Sequence, residues 1–294
     1  MRIRMGCQVR FVGAFLVALL QVSCATLSQI NLLSTADEIE IGRQAAEDVE
    51  KSLPMLADPD IVAYIQELGR VLSEQARRQD VTYSFKVVDT DAVNAFALPG
   101  GWLYVNAGLI ATADTESELA GVMAHEIGHV VGRHGARQIS AQYGLSILLE
   151  IVGGGPGGDS LSRKIAEQFA GLGAGLTLLK YGRDMEREAD ALAVQETYAA
   201  GIDPSGIAGF FEKLMKLYES EPEGIDVLFT THPPTNERVA SVEADVRKLP
   251  VKKGLRRDSE RFQRIKKKVS AYLESKPKKD PKAEKDSVRK KARR

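Results

Sequence analysis

The chain has 294 residues, 44% of them hydrophobic and 27% charged, a composition that suits one sizeable core or two small ones and excludes collagen-like, coiled-coil and wholly disordered chains. Forty Lys and Arg balance forty Asp and Glu, yet residues 252–294 hold 19 basic side chains against 6 acidic ones, so an acidic body carries a basic tail. That balance alone argues neither for nor against a nucleic-acid partner, and Cys7 and Cys24 are too few for a disulfide framework.

The first 24 residues read as a targeting segment. Arg2, Arg4 and Arg10 precede the apolar run Phe11 to Leu20, which gives way to Gln21-Val22-Ser23-Cys24. This is the pattern of a secretory signal, with an apolar stretch too short to span a bilayer. Cys24 has the place of the lipidated cysteine of bacterial lipoproteins, although Gln21 stands where that pattern has an aliphatic residue. A chain anchored through Cys24 and a soluble secreted chain with one free thiol both stay open. Behind such a signal no nucleic-acid partner is expected.

Thr35-x-x-Glu38 reads as a capping box for a helix ending before Pro54, and Asp58-Pro59 opens a second whose Ile61, Ile65, Leu68 and Leu72 share one face. Val81, Tyr83, Phe85 and Val87 alternate as in a half-buried strand, and Ala95 to Val105 is a second extended segment broken by Pro99-Gly100-Gly101. Thr115-x-x-Glu118 caps a long helix predicted to reach about Ile139. A Gly-rich break at 153–158 follows, flanked by apolar segments 145–152 and 165–179 that suggest a hairpin or lid over the site. A helix is then expected from about Asp184 to Ala200, another after Asp203-Pro204, and a third from Thr235. Beyond Pro250 the composition turns to Lys, Arg, Asp and Pro, with one short helix around Phe262 to Leu273 and disorder after it. The expected division is therefore 1–24 signal, 25–250 folded domain with leading helices, and 251–294 a basic, largely disordered tail.

His125-Glu126-Ile127-Gly128-His129 is the H-E-x-x-H pattern inside the long helix. At four-residue spacing the two imidazoles project from one face and can converge on one tetrahedral ion, while Glu126, rotated about 100° from His125, stands beside the metal where it can take a proton from water. A catalytic zinc site needs a third protein ligand. His134, five residues after His129 and about 500° around the helix from it, points off that face, which makes it structural. Glu186 and Asp190 offer a carboxylate pair at four-residue spacing, one able to ligate and the other to accept the far N–H of a ligating histidine. Taken alone they read equally as a solvated face paired with Arg183 and Arg187.

Together, His125-Glu-x-x-His129, Glu186-x-x-x-Asp190 within Arg-Asp-Met-Glu-Arg-Glu-Ala-Asp, and Thr231-His-Pro-Pro234 followed by Arg238 resemble the gluzincin family that contains HtpX, OMA-type and CAAX prenyl endopeptidases. Asn94-Ala-Phe-Ala-Leu-Pro-Gly-Gly101 is similar to that family's strand and turn before the active-site helix. The resemblance covers about residues 35–249 and is nearest the periplasmic BepA- and LoiP-like members. It implies an α+β, mainly helical zincin-like domain with a small sheet beside the active-site helix. It also implies one zinc ion on His125, His129 and Glu186, with Asp190 behind them, and endoproteolysis with Glu126 as the proton acceptor. His232 at the mouth of the site would either donate to the tetrahedral intermediate or close the open metal position at rest. Ala95, Phe96, Ala97 and Leu98 would form the strand that pairs with an extended substrate. The implied substrates are unfolded or misassembled envelope proteins, in the periplasm or at the outer membrane. An anionic membrane surface is a further expected contact of the basic tail. A zinc-stabilised chaperone or assembly factor with little proteolysis is the alternative. Gly182 stands where many relatives have Ser, and no helical-repeat domain of the BepA kind is expected after Pro250.

Overall fold

The computed structural model describes residues 31–153, 180–220 and 231–277. The signal segment with Cys24, the Gly-rich break, the apolar segment 165–179 and the chain beyond 277 lie outside the described residues. Helix α1 (Thr35–Ser52) starts one residue earlier than the capping pattern suggests: Ser34 Oγ accepts the Asp37 N–H and the Asp37 side chain accepts the Ser34 N–H. Glu38 is not free to cap, because it is buried and its carboxylate accepts from Arg78 at 2.8 Å and pairs with Arg133. Helix α2 (Pro59–Ser73) is capped by Asp58, and Ile61, Ile65, Leu68 and Leu72 are buried along one face.

A three-stranded sheet follows. Strand β3 (Trp102–Asn106) is central, parallel to β1 (Ser84–Val88) and antiparallel to β2 (Ala95–Leu98), which leaves β2 at an edge. Gly100 and Gly101 turn the chain between β2 and β3 at φ 78° and 107°, where a side chain would be strained. Alternation then places Ala95, Ala97, Leu103 and Val105 in the main core and Phe96, Leu98 and Tyr104 in a second cluster beneath α1, so the sheet is covered on both faces.

The short α3 (Ala107–Thr112) leads into α4 (Glu116–Val131), whose cap Thr115 accepts from the Glu118 N–H. The single long helix expected here is two. It breaks at Gly132 and Arg133, the latter at φ 54°, and resumes as α5 (His134–Gly153). Segment 145–152 is the end of α5. Helices α6 (Arg183–Ala199) and α7 (Gly206–Ser220) pack on α4, and α8 (Asn236–Lys248) packs on α6 and α7.

The last described helix corrects the boundary drawn from composition at residue 250. Helix α9 (Glu260–Ser275) buries Phe262, Ile265 and Val269 in the main core against α2 and α3. Its apolar positions recur at helical spacing, three and four residues apart, and a count of Lys and Arg hides them. Its cations meet the acidic body: Arg261 pairs with Glu67, Lys266 with Asp114, and Lys268 with Asp58 and Asp60. Among the described residues no helix is long and apolar enough to cross a membrane.

Candidate metal centre

Helix α4 carries the H-E-x-x-H residues through the middle of the domain, and the donor groups of His125, His129, Glu186 and His232 converge beside it. The approach of α6 depends on Gly128, because a Cβ there would lie 2.9 Å from the Ala189 carbonyl oxygen and 3.1 Å from its Cα. With that contact closed, Glu186 and Asp190, one and less than one turn from Ala189, face the two imidazoles. The loop before α8 brings His232 over the same point. One donor atom from each of His125, His129, Glu186 and His232 lies within 4.8 Å of the others, and all four residues are buried.

Distances inside the cluster are short. His125 Nε2 lies 3.0 Å from His129 Nε2 and 3.5 Å from Glu186 Oε2, and His129 Nε2 lies 3.5 Å from Glu186 Oε1. His232 Nδ1 lies 2.9 Å from Glu186 Oε1 and 3.4 Å from His125 Nε2, while its Nε2 faces Glu126 Oε1 at 3.7 Å. Asp190 stands behind, with Oδ1 2.9 Å from His125 Nδ1. Arg238 donates through Nε and Nη2 to the two Asp190 oxygens at 2.8 and 2.7 Å, and its Nη1 lies 2.8 Å from Glu186 Oε2. The guanidinium also sits 4.3 Å over the Phe211 ring.

Electrostatics test whether these residues suit an ion. The cluster buries three carboxylates, Glu126, Glu186 and Asp190, against one guanidinium, Arg238. With neutral imidazoles that leaves two negative charges in a site shielded from water, where unbalanced charge is costly. A divalent cation on imidazole nitrogens and a carboxylate oxygen removes the imbalance, so the donor set fits a metal. Burial opposes a proton on His125, but Asp190 and Glu186 beside it outweigh that and push its pKa up to about 9. Negative surroundings of this strength attract a cation to that nitrogen. Burial and the neighbouring His125 drive His129 well below the usual imidazole range, toward the neutral form that a metal ligand requires. Burial also works against ionised Glu186, yet His232 and His125 hold it below the ordinary carboxylate range.

Glu126 has a different environment. Burial raises its pKa, while the Ala97 N–H donates to its carboxylate, and its Oε1 has no hydrogen-bond partner among the described residues. It therefore stands beside the donor cluster with one oxygen uncommitted. Ala95, Phe96, Ala97 and Leu98 lie at the sheet edge next to α4 and are buried, Ala97 the most exposed of them at 5%.

Tyr181 and Arg238 gain a place here that the sequence did not assign, and His134 gains definite partners. His134 is fully buried, its Nδ1 2.8 Å from His129 Nδ1 and its Nε2 3.2 Å from Glu188 Oε2. The break at Gly132 and Arg133 turns it back toward the cluster, which angular counting along one helix does not allow for. Tyr181 stacks on His129 with ring centroids 4.1 Å apart and planes 20° from parallel. Arg238, quoted only as part of a motif, pairs with both Glu186 and Asp190. The sequence signal for it is the pair itself, since two buried acids require a cation.

The family comparison agrees with this geometry. The chain is 32% identical over 220 residues to the beta-barrel assembly-enhancing protease of Escherichia coli (strain K12), covering 71% of this chain and 43% of that protein. It is 29% identical over 223 residues to each of the metalloproteases YcaL and LoiP of the same organism, covering 74% and 75% of this chain and 81% and 84% of theirs. This chain thus spans less than half of the length of the first relative and most of the other two. Residues 60–246, which include every residue of the donor cluster, match the sequence model of Peptidase family M48, and the chain belongs to this metallopeptidase family.

Proposed function

We propose that the chain is a zinc-dependent metalloendopeptidase of the cell envelope that hydrolyses peptide bonds in unfolded or misassembled proteins. The observation that carries this reading is the uncommitted Glu126 oxygen beside four convergent donor atoms in a site where three buried carboxylates face one guanidinium. His125, His129 and Glu186 would hold the ion. Once bound, zinc supplies Lewis-acid polarisation of the scissile carbonyl and of the attacking water. Glu126 accepts the proton of that water at its carboxylate and passes it to the leaving amine, so no acyl-enzyme forms. Asp190 fixes the orientation and tautomer of His125, and Arg238 keeps Asp190 ionised for that purpose. The outer edge of β2 has no strand neighbour among the described residues, which supports main-chain pairing with an extended substrate.

His232 is proposed as the fourth ligand at rest, displaced when substrate enters. Its Nδ1 lies among the donor atoms rather than pointing away from them. At matched zinc occupancy, His232→Ala should digest an unfolded protein as fast as the parent or faster. A loss of roughly 10² to 10³ in turnover would instead assign it to transition-state stabilisation.

The envelope location rests on residues 1–24 and on the name of the first relative, a beta-barrel assembly-enhancing protease. Lipidation at Cys24 would place the chain at the outer membrane, and the mass of the mature protein from envelope fractions tests this. The proteolytic reading is tested by digesting unfolded casein with the zinc-loaded protein. Chelator should abolish cleavage, and Glu126→Gln should keep zinc and fold while losing nearly all activity. Activity of Glu126→Gln within a few fold of the parent would overturn the mechanism. A zinc-stabilised assembly factor without proteolysis would leave all three samples inactive.

A further inference from the structure

A cleft of about 440 Å³ opens on Glu186, lined by the segment that enters α6 and by the loop and first turn of α8. This volume falls in the range of about 300–1,000 Å³ found for ligand sites. Its charge is uneven: Lys180, Arg183, Arg187 and Arg238 line it against Glu186 and Glu237. Arg238 is committed to Asp190 and Glu186, and Arg187 bridges Asp184 at 2.6 Å and Glu237 at 3.2 Å. Lys180 and Arg183 remain. Neither has an ion-pair or hydrogen-bond partner among the described residues, and both are exposed to solvent.

We infer that this cleft is a subsite for a carboxylate of the peptide substrate, with Arg183 and Lys180 as the residues that select it. The inference rests on the proteolytic reading of the donor cluster. Because the cleft shares Glu186 with that cluster, a group bound in it belongs to a chain lying across the scissile position. Arg183 has the planar, multi-donor head that pairs with a carboxylate in two-point fashion, and Lys180 adds a second positive charge without a fixed geometry. The start of α6 is closed by Gly182 with no side-chain cap, so no protein acceptor competes there for the incoming anion. A neutral or basic group placed here would leave the two cations unmatched. The carboxylate could belong to an Asp or Glu side chain near the cleaved bond or to the free C-terminus of the substrate. Both sources present the same chemistry to the cleft.

The test uses a peptide series in which Glu replaces Gln at each of three positions on either side of the cleaved bond, each peptide made with a free and an amidated C-terminus. With the zinc-loaded full chain, one Glu position should raise kcat/KM roughly tenfold over its Gln counterpart, the scale of one charge-assisted contact. A gain on the free-acid peptides alone would identify the C-terminus as the source. In Lys180→Ala/Arg183→Ala the Glu-to-Gln ratio should fall toward one, and in Arg183→Glu a Lys peptide should become preferred over the Glu peptide. The same series measured by equilibrium binding to Glu126→Gln gives the selectivity without any hydrolysis, so a failure of the proteolytic reading and a failure of the subsite are separate results. Equal affinity of Glu126→Gln for Glu, Gln, free and amidated peptides would overturn the subsite. So would a Glu preference that survives in the double variant.

Discussion

Helix α6 buries carboxylates at both ends and treats them in opposite ways. Near its start Glu186 and Asp190 are 3% and 2% exposed, and near its end Glu196 is 3% exposed, so burial does not distinguish them. Partners do. Asp190 is held below the ordinary carboxylate range because Arg238 and His125 outweigh the cost of burial, whereas Glu196, both oxygens without a hydrogen bond among the described residues, is pushed by burial up to about 8. A buried acid is thus a charge to be used at one end of the helix and a neutral group at neutral pH at the other. The difference lies in the residues that face each end, because the helix itself supplies neither partner.

The largest effect should come from deleting the charged end one member at a time. Glu186→Ala removes a proposed ligand and should weaken zinc by at least about 10³-fold, while Asp190→Ala removes only the group behind His125 and should cost roughly 10- to 100-fold. Competitive zinc titration measures both. The reverse order would show that Asp190, not Glu186, completes the donor set.

The fold around these residues was readable in the sequence where local signals and burial agree. Asp58-Pro59 with its stripe of isoleucines and leucines, Thr115 before the metal helix and Thr235 before α8 all mark helix starts that the structure contains. Four-residue spacing brought His125 to His129 and Glu186 to Asp190, since a helix repeats nearly in register at that interval. Legibility ended where position depends on contacts distant in sequence. Glu38 looked like a cap and is instead drawn to Arg78, 40 residues away, which hands the cap to Ser34. Arg133 adopts a left-handed conformation that few side chains favour, and no pattern in a single sequence announces it. The angular argument about His134 loses its premise of one continuous helix for that reason, yet His134 stays outside the donor set, as expected, and bonds to the far nitrogen of His129. For α9 the helix itself was legible, but the excess of positive charge masked its place in the core, and the acids that meet it are scattered from Asp58 to Asp114.

A middle-sized effect should follow from making the two ends of α6 alike. Arg238→Met leaves Asp190 and Glu186 without their guanidinium while keeping the bulk that packs on Phe211. In zinc-free protein this should cost about 3–5 kcal/mol of unfolding free energy, the usual consequence of stranding buried charge. Urea unfolding in chelator measures it. A change under about 1 kcal/mol would mean that the histidines, rather than Arg238, keep these acids ionised.

The smallest effect should be a gain. Glu196→Gln keeps the shape of the side chain and removes its ionisation. In the folded protein Glu196 titrates at about 8, above the ordinary 4.5, so folding favours its protonated form. The stability this group allows is fully present below pH 4.5 and is lost as pH rises through 8. Parent and variant should therefore unfold alike at pH 4, and above neutrality the variant should be the more stable. Each unit between the two pKa values corresponds to about 1.4 kcal/mol, which sets an upper bound, and water entering the opened site lowers it to on the order of 1–3 kcal/mol at pH 8. Thermal unfolding of both proteins at pH 4, 6 and 8 measures the divergence, and other titrating groups cancel because they are common to the two. Curves that stay parallel across this range would show that Glu196 is ionised in the fold, with Arg77, the cation nearest to it in effect, as the group that holds it so.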